Sequence, residues 1–299
     1  MTTQIIVVLI LVFLINLITT LSYSVRIVGI RTGRIAVSFA LFNILVLISR
    51  TAYGFQAPLL AKTIENNINT GAGENLFEFR LIIFACTVAT IFGGFLIPTF
   101  QRILSIAVDK FSIYKSVPSL ILHSFSKGGI TSITESVVIP RTKNISQINF
   151  KSNFPWKVFI MNIIAVAIIT IGVLSALYAG YLNPEFRATA SNLSAIINGV
   201  ATILMFIFID PFLSIMTDDV VLGKTKESIF RKYIVYMVFA RVLGTVLAQF
   251  IFIPSARIIA WIAEIISHLS PVANMLYLSI AGAVQVSGFL LRVIFRLGG

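Results

Sequence analysis

Long apolar segments alternate with short polar connections along this chain. An α-helix needs about 20 apolar residues to cross the roughly 30 Å of hydrocarbon in a bilayer, and buried helices of soluble proteins rarely run that long without a charge. The six clearest segments of this kind are residues 4–22, 35–57, 80–99, 157–179, 192–216 and 233–253. A further apolar stretch, 255–295, contains Ser270-Pro271 and could hold one tilted span or two short ones. We therefore predict an all-α polytopic membrane helical bundle with six to eight transmembrane helices.

The composition agrees with a chain that lies mostly in the membrane. It is 58% hydrophobic and only 11% charged, whereas a soluble domain carries about 25% charged residues. We interpret residues 1–299 as a single transmembrane domain, and the apolar run after Met1 as a retained first span, because no cleavage site follows it. A formal net charge of +12 would suggest nucleic acid in a soluble protein. In a membrane protein basic residues collect on cytoplasmic loops, so we expect membrane lipids and no nucleic acid as partners.

The basic residues are concentrated in alternate connections. The connections at 23–34, 100–156 and 217–232 hold three, seven and four Lys or Arg residues. The other connections, at 58–80 and 180–191, hold few, and these are balanced by Glu. The positive-inside rule then predicts that the three basic connections are cytoplasmic and that the N-terminus is outside.

The connection at 100–156 is the only long one. Its first part, from Arg102 to Lys115, alternates apolar and polar residues, which fits either an amphipathic helix at the inner leaflet or a simple extension of the third span. The later part, from Ser126 to Lys151, is polar and is expected to be irregular. The resulting organisation is a first three-helix unit (1–104), a cytoplasmic loop with a potential interfacial helix (105–155), a second three-helix unit (156–254) and a C-terminal helical segment (255–299).

The two three-helix units show weak self-similarity. When the chain is shifted by about 155 residues, Tyr23 meets Tyr178 and Asn43 meets Asn198. Because each unit contains an odd number of spans, a second copy would have the opposite orientation. This would be a 3+3 inverted-topology repeat, as in many secondary transporters, whose substrate site lies between the copies. The alternative is two unrelated helical triplets.

Charges within the apolar segments are the main candidates for function, because an ionisable group in hydrocarbon usually faces a bundle interior or a water-filled cavity. Arg241 lies about 12 Å into the sixth span, and Glu264 has a similar depth if the last span starts near Ser255. These two residues could form a structural ion pair between adjacent helices. Alternatively, Arg241 could line a cavity for an anionic substrate.

Two further charges interrupt apolar segments. Arg50 is either deep in a long second helix or close to the outer face, where its side chain would snorkel towards water. Asp210-Pro211 interrupts the fifth span, and the proline should bend the helix there. Asp210 could accept a proton or an ion, or it could cap the bent backbone.

Three arginines, Arg26, Arg31 and Arg34, form a cluster at the predicted inner leaflet. The planar guanidinium suits phosphate because it donates two parallel hydrogen bonds, although a positive-inside anchor would explain the cluster equally well. Walker A, G-x-S-x-G, H-E-x-x-H and C-x-x-C patterns are absent from the sequence, so we expect no cofactor and no metal. Asp218-Asp219 is the only adjacent acidic pair, and an enzyme site would depend on it.

Five segments stand out as a distinctive set: Leu21–Arg34, Ser38–Arg50, Gly94–Arg102, Asp210–Asp218 and Ile253–Arg257. They resemble the Amj family, the alternate lipid II flippases of bacteria. The resemblance covers about residues 1–269, and residues 270–299 extend beyond it.

The resemblance implies movement of lipid II, the undecaprenyl-pyrophosphate-linked peptidoglycan precursor, from the inner to the outer leaflet of the bacterial cytoplasmic membrane. It implies a cationic cavity for the head group, and the candidate pyrophosphate contacts are Arg26, Arg31, Arg34, Arg50 and Arg241. Asp210 and Glu264 are candidates for proton or ion coupling, or for structural pairing. The alternatives are an intramembrane enzyme acting on polyprenyl phosphates and a non-transporting scaffold of the cell-wall machinery. The driving force and the oligomeric state do not follow from the sequence.

Overall fold

The computed structural model describes residues 2–73, 75–114, 131, 134–138 and 154–297, with the backbone alone for residues 112, 113 and 269–297. All regular structure in this part of the chain is helical. Most of the predicted irregular loop, 126–151, lies outside the described residues. The elements are α1 (Thr3–Thr32), α2 (Ile35–Asn69), α3 (Leu76–Tyr114), α4 (Trp156–Leu182), a 3-10 turn (Pro184–Phe186), α5 (Arg187–Leu204), a π-helix (Met205–Ile209), α6 (Asp210–Val221) and α7 (Glu227–Leu297).

Six helical segments are long and apolar enough to cross a membrane: Thr3–Thr32, Ile35–Asn69, Leu76–Phe111, Trp156–Leu182, Pro184–Val221 and Glu227–His268. Each contains one of the six predicted spans, so the prediction of an all-α membrane bundle is confirmed. The helices are longer than the apolar segments because a helix continues through polar residues at its ends. Helix α1, for example, continues past Arg26 and ends only at Gly33, whose positive φ of 66° is the usual conformation of a helix-terminating glycine.

Successive spans run in opposite directions, which gives the bundle two ends. We call the end that carries Thr32, Ile35 and Trp156 the basic end, and the end that carries Asn69 and Leu182 the opposite end. Basic residues from all three of the predicted basic connections lie at the basic end, and they include Arg31, Arg102 and Arg231.

Helix α7 is continuous from Glu227 to Leu297, which excludes the alternative of two short spans with a break at Ser270-Pro271. Neither Pro254 nor Pro271 is flanked by the Gly, Asn or Asp residues that favour a turn. A proline removes one backbone hydrogen bond, and membrane helices tolerate this loss where the surroundings compensate. At 71 residues, α7 is about 105 Å long and extends well past the rest of the bundle.

The described residues from Arg102 to Tyr114 extend the third span as part of one helix, α3, as in the second of the two alternatives. Helix α3 continues without interruption to Tyr114, so the predicted boundary at residue 104 falls inside a helix. The apolar positions Leu104 and Val108 are 5% and 0% exposed, and they pack with residues of α1 and α2. A helix whose apolar face is covered by protein does not need to lie on a lipid surface.

The fifth span has an irregular helical geometry next to the position where the sequence predicts a bend. Five residues before Asp210-Pro211, Met205–Ile209, form a π-helix, and α6 begins at Asp210. Because Pro211 has no N–H group, one regular helical hydrogen bond is missing, and a π-turn is a common way for the backbone to adjust. The span is therefore divided into two helices, α5 and α6.

Helices α1 and α4 form the centre of the bundle. Helix α1 packs against α2 and α3, and α4 packs against α5 and α7, while α3 and α7 join the two groups. Every residue from Ile171 to Tyr181 of α4 is buried. This segment contains Gly172, Ala176 and Ala179, and small residues of this kind let membrane helices approach closely.

One large apolar cluster joins both groups of helices at the opposite end, beside a smaller one among α4, α5 and α7. At the opposite end, α1, α2, α3, α4 and α7 contribute to one cluster around Phe79, Tyr178, Tyr181 and Phe252. At the basic end, one cluster joins α1 to α4, α6 and α7, and a second joins α1 to α2 and α3. The two groups of helices are therefore packed together most completely at the opposite end.

The two groups also pack internally in similar ways. In each, the first helix contacts the second and third, and the third presents a glycine to a carbonyl of the first. Gly93 of α3 faces the Leu17 carbonyl of α1, and Gly244 of α7 faces the Ile163 carbonyl of α4. The inverted-topology repeat itself stays a prediction.

Replacing Gly244 with valine is expected to lower the free energy of unfolding by about 1–3 kcal/mol. A Cβ atom at this position would lie 2.8 Å from both the Ile163 carbonyl oxygen and Val166 Cβ. Gly199→Ala is the matched control, because a Cβ atom there meets no other atom within 4 Å. Thermal unfolding of the purified variants measures the difference, and equal melting temperatures would contradict the close contact between α4 and α7.

Candidate functional site

Arg26 of α1 connects both groups of helices. Its Nη1 donates a hydrogen bond to Ser214 Oγ at 3.1 Å, and its Nη2 lies 3.6 Å from Asp210 Oδ1. On the other side, the guanidinium lies over the Phe39 ring of α2, 5.2 Å from its centroid. Only 15% of the Arg26 side chain is exposed. The predicted candidates Arg26 and Asp210 are thus brought together, in a partly buried place.

Arg31 makes a second connection five residues further along α1. Its Nε donates to Glu227 Oε1 at 2.9 Å, and its Nη1 donates to Gln101 Oε1 of α3 at 3.3 Å. Glu227 also accepts an ion-pair contact from Arg231 at 3.4 Å. An open cavity of about 430 Å³ adjoins Arg31, and it is lined by Arg31, Gln101, Arg102, Ser105, Ile106, Glu135 and Ser136.

Arg241 lies much deeper. It is 4% exposed, and its Nη2 donates to Asn16 Oδ1 at 3.4 Å, while its buried Nε has no hydrogen-bond partner. Among the described side chains it forms no salt bridge. An arginine with no neighbouring carboxylate is costly within a membrane, so this position can attract an anion.

A buried polar network continues from Asn16 along the same face of α1. Tyr23, seven residues after Asn16, donates to Asn162 Oδ1 of α4 at 3.3 Å. Asn162 in turn donates to the Met237 carbonyl of α7 at 3.0 Å, one helical turn before Arg241. Asn162 therefore connects three helices through its side-chain amide. The network holds α1, α4 and α7 in a fixed relation around Arg241.

The arginines are arranged in order of depth. Measured along α1 from Thr32, Arg31 is at the end of the helix, Arg26 is about 9 Å further in, and Asn16, which holds Arg241, is about 24 Å in. Because a bilayer's hydrocarbon is about 30 Å thick, these positions extend from the basic end to the middle of the membrane.

The remaining candidates lie apart from this series. Arg34 is exposed at the start of α2, and Arg50 is exposed about midway along α2. Neither side chain forms a hydrogen bond or a salt bridge with another of the described residues. Glu264 is exposed near the opposite end of the bundle, and its role in coupling stays a prediction.

The predicted ion pair between Arg241 and Glu264 is wrong. Both residues belong to α7, a single continuous helix. Their separation of 23 positions corresponds to about 35 Å along the axis. An ion pair between them would require a break between the sixth span and the segment that holds Glu264, and the helix has no such break.

Some members of the site were missed by the sequence analysis. Ser214 follows Asp210 by four positions, so both lie on one face of α6, and this spacing could have been noticed. Phe39, Gln101 and Glu227 gave no such signal, because only the packing of α2, α3 and α7 against α1 brings them to the arginines.

The six membrane-length helices define a polytopic membrane protein. Arg31 and Arg26 of α1 and Arg241 of α7 lie at increasing depth within it. The family model Amj, described as "Alternate to MurJ", matches residues 11–263. The "Lipid II flippase Amj" of Bacillus subtilis (strain 168) is 38% identical over 269 residues, which is 88% of this chain and 98% of the relative. No solved structure matches. The chain belongs to the Amj family, as its resemblance predicted.

Proposed function

We propose that this protein is a flippase that moves lipid II from the inner to the outer leaflet of the bacterial cytoplasmic membrane. The printed name of the Bacillus subtilis relative supports this function, and it favours transport over the enzyme alternative. Within the structure, the main support is Arg241, a nearly fully buried arginine that has no salt-bridge partner among the described side chains. A mid-membrane cation of this kind is suited to a pyrophosphate in transit.

The proposed orientation places the basic end in the cytoplasm and the N-terminus outside. The positive-inside rule supports it, because basic residues of the described part concentrate at that end. Arg31, Arg34 and Arg102 would then meet the head group of lipid II on the side of the membrane where the precursor is made.

The proposed path for the pyrophosphate begins at Arg31 and Arg34, continues to Arg26, and reaches Arg241. Arg50, on the exposed side of α2, would contact the head group from the second helix of the first unit. At each step the planar guanidinium can donate two hydrogen bonds to a phosphate. The polyprenyl tail would stay in the lipid throughout, because it is wholly apolar.

The present conformation would admit substrate from the cytoplasm. The large cluster around Phe79 seals the opposite end, whereas the two clusters at the basic end could separate with less loss of apolar contact. Alternating access would then consist of a rocking motion of the two three-helix units, as in transporters with inverted repeats.

Complementation tests the proposed function directly. The protein is expressed in cells depleted of their other lipid II flippase, and lipid II at the outer leaflet is measured with an externally added, membrane-impermeant enzyme that cleaves it. Survival with accessible lipid II is the expected result. Failure by a well-expressed and correctly inserted protein would favour the scaffold alternative. In the same assay, Arg50→Ala should abolish transport while the amount of protein in the membrane stays the same. Lys62→Ala, on the same helix, should retain transport.

A further inference from the structure

We propose that Asp210 and Glu227 occupy, in this conformation, the positions on Arg26 and Arg31 that a lipid-linked pyrophosphate takes. The substrate therefore binds by displacing two carboxylates of the protein itself. This inference rests on the proposed function, since it concerns two arginines of the same path. It adds that the path is occupied by internal competitors until substrate arrives.

The two contacts have the same construction. In each, an arginine of α1 faces a carboxylate at the first residue of a later helix, Asp210 of α6 and Glu227 of α7. A neutral side chain completes each arginine's contacts, Ser214 in the first and Gln101 in the second. At Glu227, which follows a turn, the field of the helix favours negative charge, and this holds for a phosphate as well as for a carboxylate.

Displacement is easy because both carboxylates are partly exposed and one of the two contacts is long. The Asp210 side chain is 46% exposed and the Glu227 side chain is 31% exposed. Arg26 and Asp210 meet through one nitrogen and one oxygen at 3.6 Å, which is longer than a good charge-assisted hydrogen bond. Once displaced, Glu227 retains Arg231 as a partner, and Asp210 is not enclosed by protein.

A pyrophosphate is better suited to these arginines than the carboxylates are. It carries more negative charge than one carboxylate, and it can accept paired hydrogen bonds from a guanidinium at each of its two phosphates. Arg26 and Arg31 are five positions apart on α1, about 7.5 Å along the axis, and both side chains are long. A single pyrophosphate can therefore engage one arginine and then the other as it moves inward.

The consequence is a link between binding and opening. Asp210 and Glu227 are the acids through which α6 and α7 hold α1 at the basic end. When a pyrophosphate takes their place, these two contacts between the helix groups are lost. The substrate itself then removes the two ion pairs between the helix groups at the basic end, where the apolar contacts of Tyr23 and Ile27 remain.

The experiment measures binding of farnesyl pyrophosphate and of inorganic pyrophosphate to the purified full chain in lipid nanodiscs. Asp210→Asn and Glu227→Gln remove one competitor each and should lower the dissociation constant for farnesyl pyrophosphate by about 3- to 10-fold, as expected when a binding site is freed from an internal occupant. Glu65→Gln is the matched control, because it breaks the Lys62–Glu65 pair at the opposite end and should change nothing. Arg26→Gln should weaken binding.

Unchanged or weaker binding of farnesyl pyrophosphate by both Asp210→Asn and Glu227→Gln would overturn the proposal. Tighter binding of inorganic pyrophosphate alone would also overturn it, since the ligand would then be a soluble ion and not a lipid head group. The two variants alter different helices, so misfolding of one leaves the other as a test. If lipid II transport fails in cells while Asp210→Asn still tightens binding, the proposed function is wrong and the competition stands. If transport succeeds without tightening, only the competition is wrong.

Discussion

Arg241→Met is expected to abolish lipid II transport and, at the same time, to make the protein more stable. In the wild type, Arg241 is 4% exposed and its Nε has no hydrogen-bond partner. It forms no salt bridge with the described side chains. An arginine at the middle of a membrane costs about 2.5–3.5 kcal/mol. Methionine removes that cost but leaves Asn16 Oδ1 without the Arg241 hydrogen bond, which offsets about 1 kcal/mol. The net gain should be about 1.5–2.5 kcal/mol in the free energy of unfolding.

The measurements for Arg241→Met are complementation with externally accessible lipid II, and denaturant unfolding of the purified variant. Arg241→Lys is the matched control, because it keeps the charge and should retain part of the transport without the gain in stability. A purely structural arginine would behave differently, since its loss would reduce stability and transport together. That result would remove Arg241 from the proposed path.

Phe79→Ala is expected to lower the free energy of unfolding by about 3–5 kcal/mol. Phe79 is 2% exposed, and its ring lies 5.2 Å from Tyr178, 6.2 Å from Tyr181 and 5.8 Å from Phe252 between centroids. Removing this ring opens the cluster that closes the opposite end. Cys86, the sole cysteine of the chain, is buried in the same cluster and reports on water entry.

In the proposed orientation, a membrane-impermeant maleimide added from outside should therefore label Cys86 faster in Phe79→Ala than in the wild type. Phe79→Leu conserves most of the volume and should show a smaller effect in both measurements. Phe77→Ala, two positions earlier on α3, is the control for local changes, because Phe77 is 72% exposed. Equal labelling of all four proteins would contradict a seal centred on Phe79.

The asymmetric bundle has a mechanistic meaning within the proposed function. Apolar contact between the two groups is concentrated at the opposite end, whereas Arg26 and Arg31 contribute ion pairs between them at the basic end. Partly exposed ion pairs contribute little to stability and exchange readily, whereas a packed aromatic cluster is costly to open. The end that meets the substrate first is thus held by two partly exposed ion pairs in addition to the apolar contacts of Tyr23 and Ile27.

The sequence by itself determined the class of protein and the places where charge enters the membrane. Apolar length predicts the six spans, and the position of charges predicts the basic end and the depth of Arg241. The missing N–H group of proline predicts the irregular helix beside Asp210-Pro211. These properties depend on residues close together in the chain, so they can be predicted without knowing which helices touch.

Only the tertiary structure decided which charges meet. Asp210 pairs with Arg26, which is 184 positions earlier, and Arg241 is held by Asn16, a partner 225 positions away. It also showed that α7 is continuous, which separates Arg241 from Glu264, and that α3 extends to Tyr114 because its apolar face is covered by α1 and α2. The physical reason is that a guanidinium in the membrane is stabilised by whatever polar group helix packing brings beside it, and packing depends on the shapes of distant segments.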